Sequence, residues 1–167
     1  IVFTNAARVS KILGSTTFYN LVCTEPNKEL QFDATAGVTN SIAAGGRLTL
    51  QGDADADDHR VKVRSTVADT MAALALADGA SAVVKYVDVR DSDASGGITV
   101  VAEDSVGRDA NNLNWSFISI RPGDIIVWTG DAGTGWATPD NWNCGRAPVE
   151  TDDVRIPAGC VNYPVAA

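Results

Sequence analysis

The single histidine limits the catalytic chemistry that this sequence can support. Every Ser–His–Asp arrangement would have to pass through His59, and a zinc site with two histidine ligands cannot be built. His59 follows two aspartates and precedes Arg60, a polar run that is typical of a solvated surface turn. We therefore expect no catalytic role for His59.

Alternating carboxylates just before this histidine could bind calcium. Asp53, Asp55 and Asp57 supply the oxygen ligands that this ion prefers. The loop departs from the EF-hand pattern, because Asp58 stands at the sixth position, where a glycine is needed, and Arg64 at the twelfth, where a bidentate glutamate is needed. A solvated acidic turn is the favoured interpretation, the three aspartates are a weak calcium candidate, and no other cofactor is expected.

Two of the three cysteines lie close together in a loop-rich tail. A single disulfide between Cys144 and Cys160 would fit an exported protein, although three cysteines are too few for a disulfide framework. Three unpaired buried thiols, including Cys23, are the alternative, because spacing alone does not establish a bridge. The sequence thus predicts one bridge and leaves the second interpretation open.

Charge and hydropathy argue against two classes of partner. The 21 acidic residues outnumber the 13 basic ones, for a formal net charge of −8, so the backbone of a nucleic acid would be repelled. The longest apolar runs are far shorter than the roughly 20 residues that span a bilayer. The chain begins with Ile1 and shows no signal-like leader, so we expect a processed product or an excised fragment.

Short apolar or alternating runs separated by turn residues such as Gly45-Gly46 predict an all-β chain. A helix is the alternative for residues 67–80, which include strong helix formers, but the alternation of Leu74 and Leu76 favours a strand. The predicted strands cover residues 17–23, 29–32, 38–42, 47–51, 60–64, 71–76, 82–90 and 98–102.

The spacing of these strands along the sequence is compatible with either a β-sandwich or a β-solenoid. Almost every strand is very short, and Asn-Gly or Asp-Gly hairpin signatures are largely missing between them, which favours the solenoid. We therefore predict one continuous apolar column, formed by Phe18, Phe32, Leu48, Leu50, Val61, Val63, Leu74, Leu76, Val87, Val89, Ile98 and Val100.

The amino-acid composition of the sequence changes after Trp115. Trp128, Trp136 and Trp142 crowd into a segment rich in Gly, Asp, Thr and Pro, with predicted strands at residues 124–129 and 153–156. These rings either fill the core of the segment, which we favour because few aliphatic residues are available there, or stack on sugars. Two domains are thus predicted, the coils in residues 1–122 and a Trp-rich module in residues 123–167.

Six groups of motifs cover nearly the whole chain. They are GSTTFYNL (14–21), GRLTLQG (46–52), VKVRS (61–65), YVDVRDSDASGG (86–97), NNLNWSF (111–117), and WTG (128–130) with NW (141–142) and DDVRIPAG (152–159). Together these motifs resemble the repeat unit of very large bacterial surface proteins of the filamentous-haemagglutinin or autotransporter-like type. The first three look like successive rungs, the next two resemble the rung that ends such a unit, and the tail looks like the Trp-rich opening of a following unit.

This resemblance implies a short right-handed parallel β-helix of the pectin-lyase-like type, followed by the small Trp-rich module, and it implies no activity. The expected function is a structural or adhesive repeat, secreted or at the cell surface. We expect copies or neighbouring repeats to stack head to tail, because uncapped strand edges invite pairing. The residues expected at these contacts are Ile1, Val2, Phe3, Trp128, Trp136 and Trp142.

A carbohydrate-binding or polysaccharide-cleaving β-helix, with surface glycans as partners, is the alternative. Lyases of this fold combine calcium, acidic residues and a basic residue that acts as the base. Here such a set would have to come from Asp88, Arg90, Asp91 and Asp93, and no second cluster supports it. Because paired carboxylates are too common in this sequence to indicate glycoside hydrolysis, we expect no enzyme.

Overall fold

A computed structural model of the chain describes residues 1–53, 59–108, 111–118, 125–144, 146–148 and 152–165. The chain divides into two compact units, Ile1–Phe117 and Ile118–Ala167. The predicted boundary between residues 122 and 123 lies outside the described residues. Strands dominate the secondary structure, so the prediction of an all-β chain is confirmed. Within the described ranges, no helix is long and apolar enough to cross a membrane.

The first unit is a succession of short strands joined by turns. Residues 72–76 are a strand, as predicted, and not a helix. In chain order the strands are β1 (Val2–Phe3), β2 (Ser10–Ile12), β3 (Thr16–Cys23), β4 (Glu29–Phe32), β5 (Thr39–Gln51), β6 (Val61–Ser65), β7 (Ala72–Leu76), β8 (Ser81–Lys85), β9 (Val87–Val89), β10 (Ser92–Asp93), β11 (Val100–Glu103), β12 (Val106–Gly107), β13 (Asn112–Leu113) and β14 (Trp115–Ile118).

These strands form two sheets in which neighbours are parallel. The five-stranded sheet has the order β2-β4-β6-β9-β12. The nine-stranded sheet has the order β13-β10-β7-β5-β8-β11-β14, and β3 joins it by pairing with both β5 and β1. Parallel neighbours cannot be joined by a tight hairpin, so the chain leaves each sheet and returns to it further along. This pairing excludes the antiparallel sandwich that the strand spacing had left open.

Alternation along the strands decides which residues are buried. In β6, Val61 and Val63 are fully buried, whereas Lys62 and Arg64 are half-buried on the opposite face. The same inward positions continue in the neighbouring strands, because Leu30 of β4 is in register with Val63, and Val63 with Val89 of β9. Stacking in register therefore lines up the apolar residues of successive strands.

The predicted apolar column is confirmed for ten of its twelve members, which are buried in one cluster, and Phe18 is half-buried against that cluster. Ile98 was predicted wrongly: its side chain is 38% exposed, because β11 begins only at Val100 and Ile98 lies in the turn before it. The core is completed by Ile12, Leu21, Cys23, Leu30, Ile42, Val84 and several alanines.

The observed strand boundaries differ from the predicted ones at two places, each for a reason in the backbone. The two predicted strands at residues 38–42 and 47–51 are parts of the single strand β5, which begins at Thr39 and passes through Gly46. A Cβ atom on Gly46 would lie 2.1 Å from the carbonyl oxygen of Tyr19, so only glycine fits. Residues 82–90 form two strands instead of one, because Tyr86 adopts a left-handed conformation with φ of 49° between β8 and β9.

The second unit has a small core of its own. β15 (Ile125–Val127) and β16 (Asp153–Arg155) pair in parallel, and a short 3-10 helix covers Pro139–Asn141. Both strands fall inside the predicted segments, although residue 124 lies outside the described part. The buried residues are Ile126, Trp128, Trp142 and Cys144, with Trp136 and Cys160 packed against them.

Candidate functional site

The outer face of the five-stranded sheet carries a line of basic residues. Lys11 of β2 is in register with Gln31 of β4, and Gln31 with Arg64 of β6. Arg90 and Arg108 continue this line one residue beyond the ends of β9 and β12, where the Arg90 amide donates to the Val63 carbonyl and the Arg108 amide to the Val89 carbonyl. We call these five positions, which are four basic residues and Gln31, the basic row.

A buried carboxylate holds two members of the basic row. Asp88 is only 4% exposed, and its Oδ2 accepts a hydrogen bond of 3.0 Å from Arg108 Nε. Its Oδ1 lies 3.0 Å from Arg64 Nη1, which also donates to the Asp88 carbonyl oxygen at 2.6 Å. Lys62, in register with Asp88, donates to Asn27 Oδ1 instead. The arginine side chains are thus fixed in place by protein groups.

The other two carboxylates of the predicted lyase set also have structural partners. Asp91 is 2% exposed and accepts hydrogen bonds from the Asp69 amide and from Asn111 Nδ2. Asp93 Oδ1 accepts from the Ser95 amide, a local turn contact. Each of these carboxylates therefore stabilises a turn or a strand register, and their use in catalysis stays untested.

The calcium prediction falls mostly on residues that the structure does not describe. Asp53 is exposed and its amide donates to the carbonyl of His59, which is exposed as well. Asp55 and Asp57 lie outside the described residues. Among the residues that are described, no three His, Cys, Asp or Glu side chains form a group that could hold a metal ion. The calcium site accordingly stays a prediction.

The first strands leave apolar side chains in solvent. β1 pairs only with β3, and Ile1 and Val2 are 60% and 62% exposed, while Phe3 is half-buried against the core. The terminal amine of Ile1 donates to the Asn20 carbonyl, which holds the strand in place. Backbone groups on the outer edge of β1 and β2 have no neighbouring strand among the described residues.

The tryptophans of the second unit pack on one another. Trp128 and Trp142 are 1% and 3% exposed, and their ring centroids lie 5.0 Å apart in an edge-to-face contact; Trp136 meets Trp142 in the same way at 4.8 Å. Trp128 Nε1 donates to the Asn162 carbonyl and Trp142 Nε1 to the Trp136 carbonyl. The interpretation of these rings as a core is thus confirmed, and their part in assembly stays a prediction.

All three cysteines are free thiols in the structure. Cys144 and Cys160 belong to the same small core, where their Sγ atoms donate to the carbonyls of Arg146 and Pro157. The bridge between them stays a prediction, because the two thiols share one cluster without being joined. Burial raises the pKa of the Cys23 thiol, which therefore remains protonated and unreactive at neutral pH.

A surface ion pair joins the neighbouring strands β8 and β11 of the nine-stranded sheet. Lys85 Nζ of β8 lies 2.5 Å from Glu103 of β11, in register with it. This hydrogen-bonded carboxylate raises the pKa of Lys85. Because both side chains are about a third or more exposed, the pair contributes little to stability and mainly favours the observed register.

Comparison of the chain with protein-family models, with curated proteins and with solved structures finds no match. The geometry of the chain itself is therefore the basis for proposing a function. Sequence reasoning missed Lys11, Gln31, Lys62, Arg64 and Arg108. The alternation in VKVR already placed Lys62 and Arg64 together on the outer face of a strand.

Proposed function

We propose that this chain is a structural repeat of a secreted or cell-surface bacterial protein, built as a right-handed parallel β-helix whose coils stack end to end into a stalk or filament. The parallel register of successive strands supports this architecture, as does the single apolar core that runs through the first unit. The right hand follows from the strong preference of parallel crossover connections for that hand.

The observation that carries the proposal is the open edge at β1 and β2. An exposed strand edge is a template for pairing, and natural proteins usually block it with charges, prolines or bulges. Here the edge carries exposed apolar side chains, of which Ile1 and Val2 lie on or next to β1. Val9, Leu13 and Tyr19 follow within the same first coil and are also exposed.

The second unit supports the same proposal by being incomplete as a sheet. Parallel sheets are normally covered on both faces and contain more than two strands. β15 and β16 form a parallel pair alone among the described strands of this unit, and Val154 and Ile156 remain 40% and 42% exposed. We infer that this apolar surface continues into strands of a neighbouring repeat or of another copy.

The alternative of a polysaccharide-cleaving enzyme has less support. Asp88, Asp91 and Asp93, which would have to provide its acidic groups, are engaged by arginines or by backbone amides. A catalytic carboxylate must have the right protonation state and must lie where the substrate can reach it. Asp88 and Asp91 are almost fully buried.

Sedimentation velocity over a wide concentration range tests the proposal. The unaltered chain should form larger species as its concentration rises, whereas the double variant Ile1→Lys/Val2→Lys should remain monomeric, because a charged edge cannot be buried against another strand. Val67→Lys is the matched control, since Val67 is 53% exposed and lies in the turn after β6. A chain that stays monomeric at every concentration, or equal loss of association in the control, would count against the proposal.

A further inference from the structure

We propose that the basic row on the five-stranded sheet is a binding surface for a linear acidic polysaccharide with a carboxylate or sulfate on successive sugars. This inference goes beyond the proposed structural role, which needs no ligand. It rests on the distribution of charge over the chain, on the spacing of the row and on the way its side chains are held.

The charge of this face is opposite to that of the whole chain. The outward positions of β2, β4, β6, β9 and β12, with the residue following each of the last two, contain the five basic residues Lys11, Lys62, Arg64, Arg90 and Arg108. Glu29 and Asp88 are the two acidic residues there. Since the chain has 21 acidic and 13 basic residues, this face concentrates positive charge on an otherwise acidic protein.

The spacing of the basic row suits an extended polymer. Adjacent strands lie about 4.8 Å apart, so the five positions form a straight line roughly 19 Å long. One sugar of an extended glycan is comparable in length to this strand spacing, so its acidic groups can meet the basic residues of the row on β2, on β6 and after β9 and β12, while Gln31 of β4 offers a neutral polar contact between the first two. Asp88 orients Arg64 and Arg108 in advance, and this reduces the entropy that the side chains lose on binding.

Two other anionic partners fit less well. Nucleic-acid binding on a flat sheet relies on aromatic rings for base stacking, and the outward positions of these five strands carry none among the described residues. A second copy of the chain would need a complementary row of acidic residues. Among the described strands, no two neighbouring strands place acidic residues opposite each other in register. A flexible acidic glycan needs neither feature.

Isothermal titration with polygalacturonate tests the proposal, with neutral dextran, double-stranded DNA and polyglutamate as comparison polymers. We expect polygalacturonate to bind most tightly and dextran not at all, with binding that weakens as salt is added. Lys11→Gln/Lys62→Gln should weaken binding about tenfold, since one exposed cation of the basic row and one half-buried cation beside it are lost. Glu29→Gln should strengthen the binding of polygalacturonate, because it removes a negative charge from this face and leaves every basic residue in place.

The control is Arg47→Gln/Arg155→Gln, which changes the net charge equally but affects exposed residues of β5 and β16. Circular dichroism verifies that each variant is folded. Absence of polygalacturonate binding, or equal weakening in the control, would overturn the proposal. DNA or polyglutamate binding as tight as that of polygalacturonate would also overturn it, because the face would then not select a glycan. These results are independent of end-to-end assembly, which sedimentation measures separately.

Discussion

Arg64 on β6 forms an ion pair with Asp88 on the adjacent strand β9, with Nη1 and Oδ1 3.0 Å apart. The two residues are diagonal neighbours, because Asp88 is in register with Lys62. Arg64 Nη1 also donates to the Asp88 carbonyl, so one guanidinium contacts both the side chain and the backbone of the next strand. This contact fixes the register of two strands whose inward valines form part of the core.

We expect Asp88→Asn to lower the free energy of unfolding by about 2–3 kcal/mol, because it removes the negative charge that both Arg64 and Arg108 face in a buried position. Urea denaturation followed by circular dichroism measures the change. Asp78→Asn, in an exposed turn, is the control and should alter stability by less than about 0.5 kcal/mol. Equal effects of the two substitutions would show that the Asp88 ion pairs are not stabilising.

Adjacent glycines in the turn before β11 should respond differently to alanine. A Cβ on Gly97 would lie 1.9 Å from the Leu76 carbonyl oxygen, so the backbone must shift, whereas a Cβ on Gly96 would lie 3.3 Å from the Ala75 Cβ. We expect Gly97→Ala to destabilise the chain by at least about 2 kcal/mol and Gly96→Ala by less than about 1 kcal/mol. Thermal unfolding of both variants checks this, and similar melting temperatures would contradict the close contact.

Removing a buried amide should stabilise the first unit. Asn40 is fully buried in β5 between Thr16 and Leu74, and neither Oδ1 nor Nδ2 has a hydrogen-bond partner among the described residues. Valine has a similar size and no polar atoms, so Asn40→Val should raise the free energy of unfolding by about 1–2 kcal/mol. Chemical denaturation measures it, with the exposed Thr39→Val as control. Lower stability of Asn40→Val would mean that the amide has a stabilising role.

Asp33 should contribute a stability that depends on pH. Hydrogen bonds from Thr35, by its side chain and its amide, and from the Gly14 amide lower the pKa of Asp33 below the usual 3.8. The folded chain therefore binds fewer protons than the unfolded chain in this range. The contribution is complete above the unfolded pKa and is lost as the pH falls through the folded pKa.

The stability difference between the unaltered chain and Asp33→Asn should accordingly shrink as the pH is lowered from about 6 to about 2. Urea denaturation at several pH values measures this difference. A difference that stays constant over the whole range would contradict the lowered pKa, because the charge of Asp33 would then contribute equally to both states.

The strands in which apolar and polar residues alternate were predictable from the sequence. In β6 and β4 alternation alone identified Val61, Val63, Leu30 and Phe32 as core residues, since a strand with one buried face must repeat every second residue. The same rule placed Lys62 outward. Sequence reasoning missed β1, β2, β10, β12, β13 and β14. The first five have only two or three residues, too few to display a period, and β14, although as long as β4, does not alternate between buried and exposed positions.

The grouping of charges could not be predicted in the same way. Arg64, Asp88 and Arg108 are far apart in the sequence, and only the register of β6, β9 and β12 brings them together. Register depends on inter-strand packing and on turn lengths, which a single sequence does not reveal. Asp88 was thus considered for its chemistry as an acid, whereas its position between two arginines gives it a structural role.

Electron cryomicroscopy of the purified chain at high concentration tests the central claim, end-to-end stacking of parallel coils, most directly. We predict rods one molecule wide, in which strands run across the rod axis and repeat along it at about 4.8 Å, continuing from β1 and β2 of one copy into the second unit of the next. Uniform single particles at every concentration, or an assembly in which the β1 edge remains in solvent, would contradict the account.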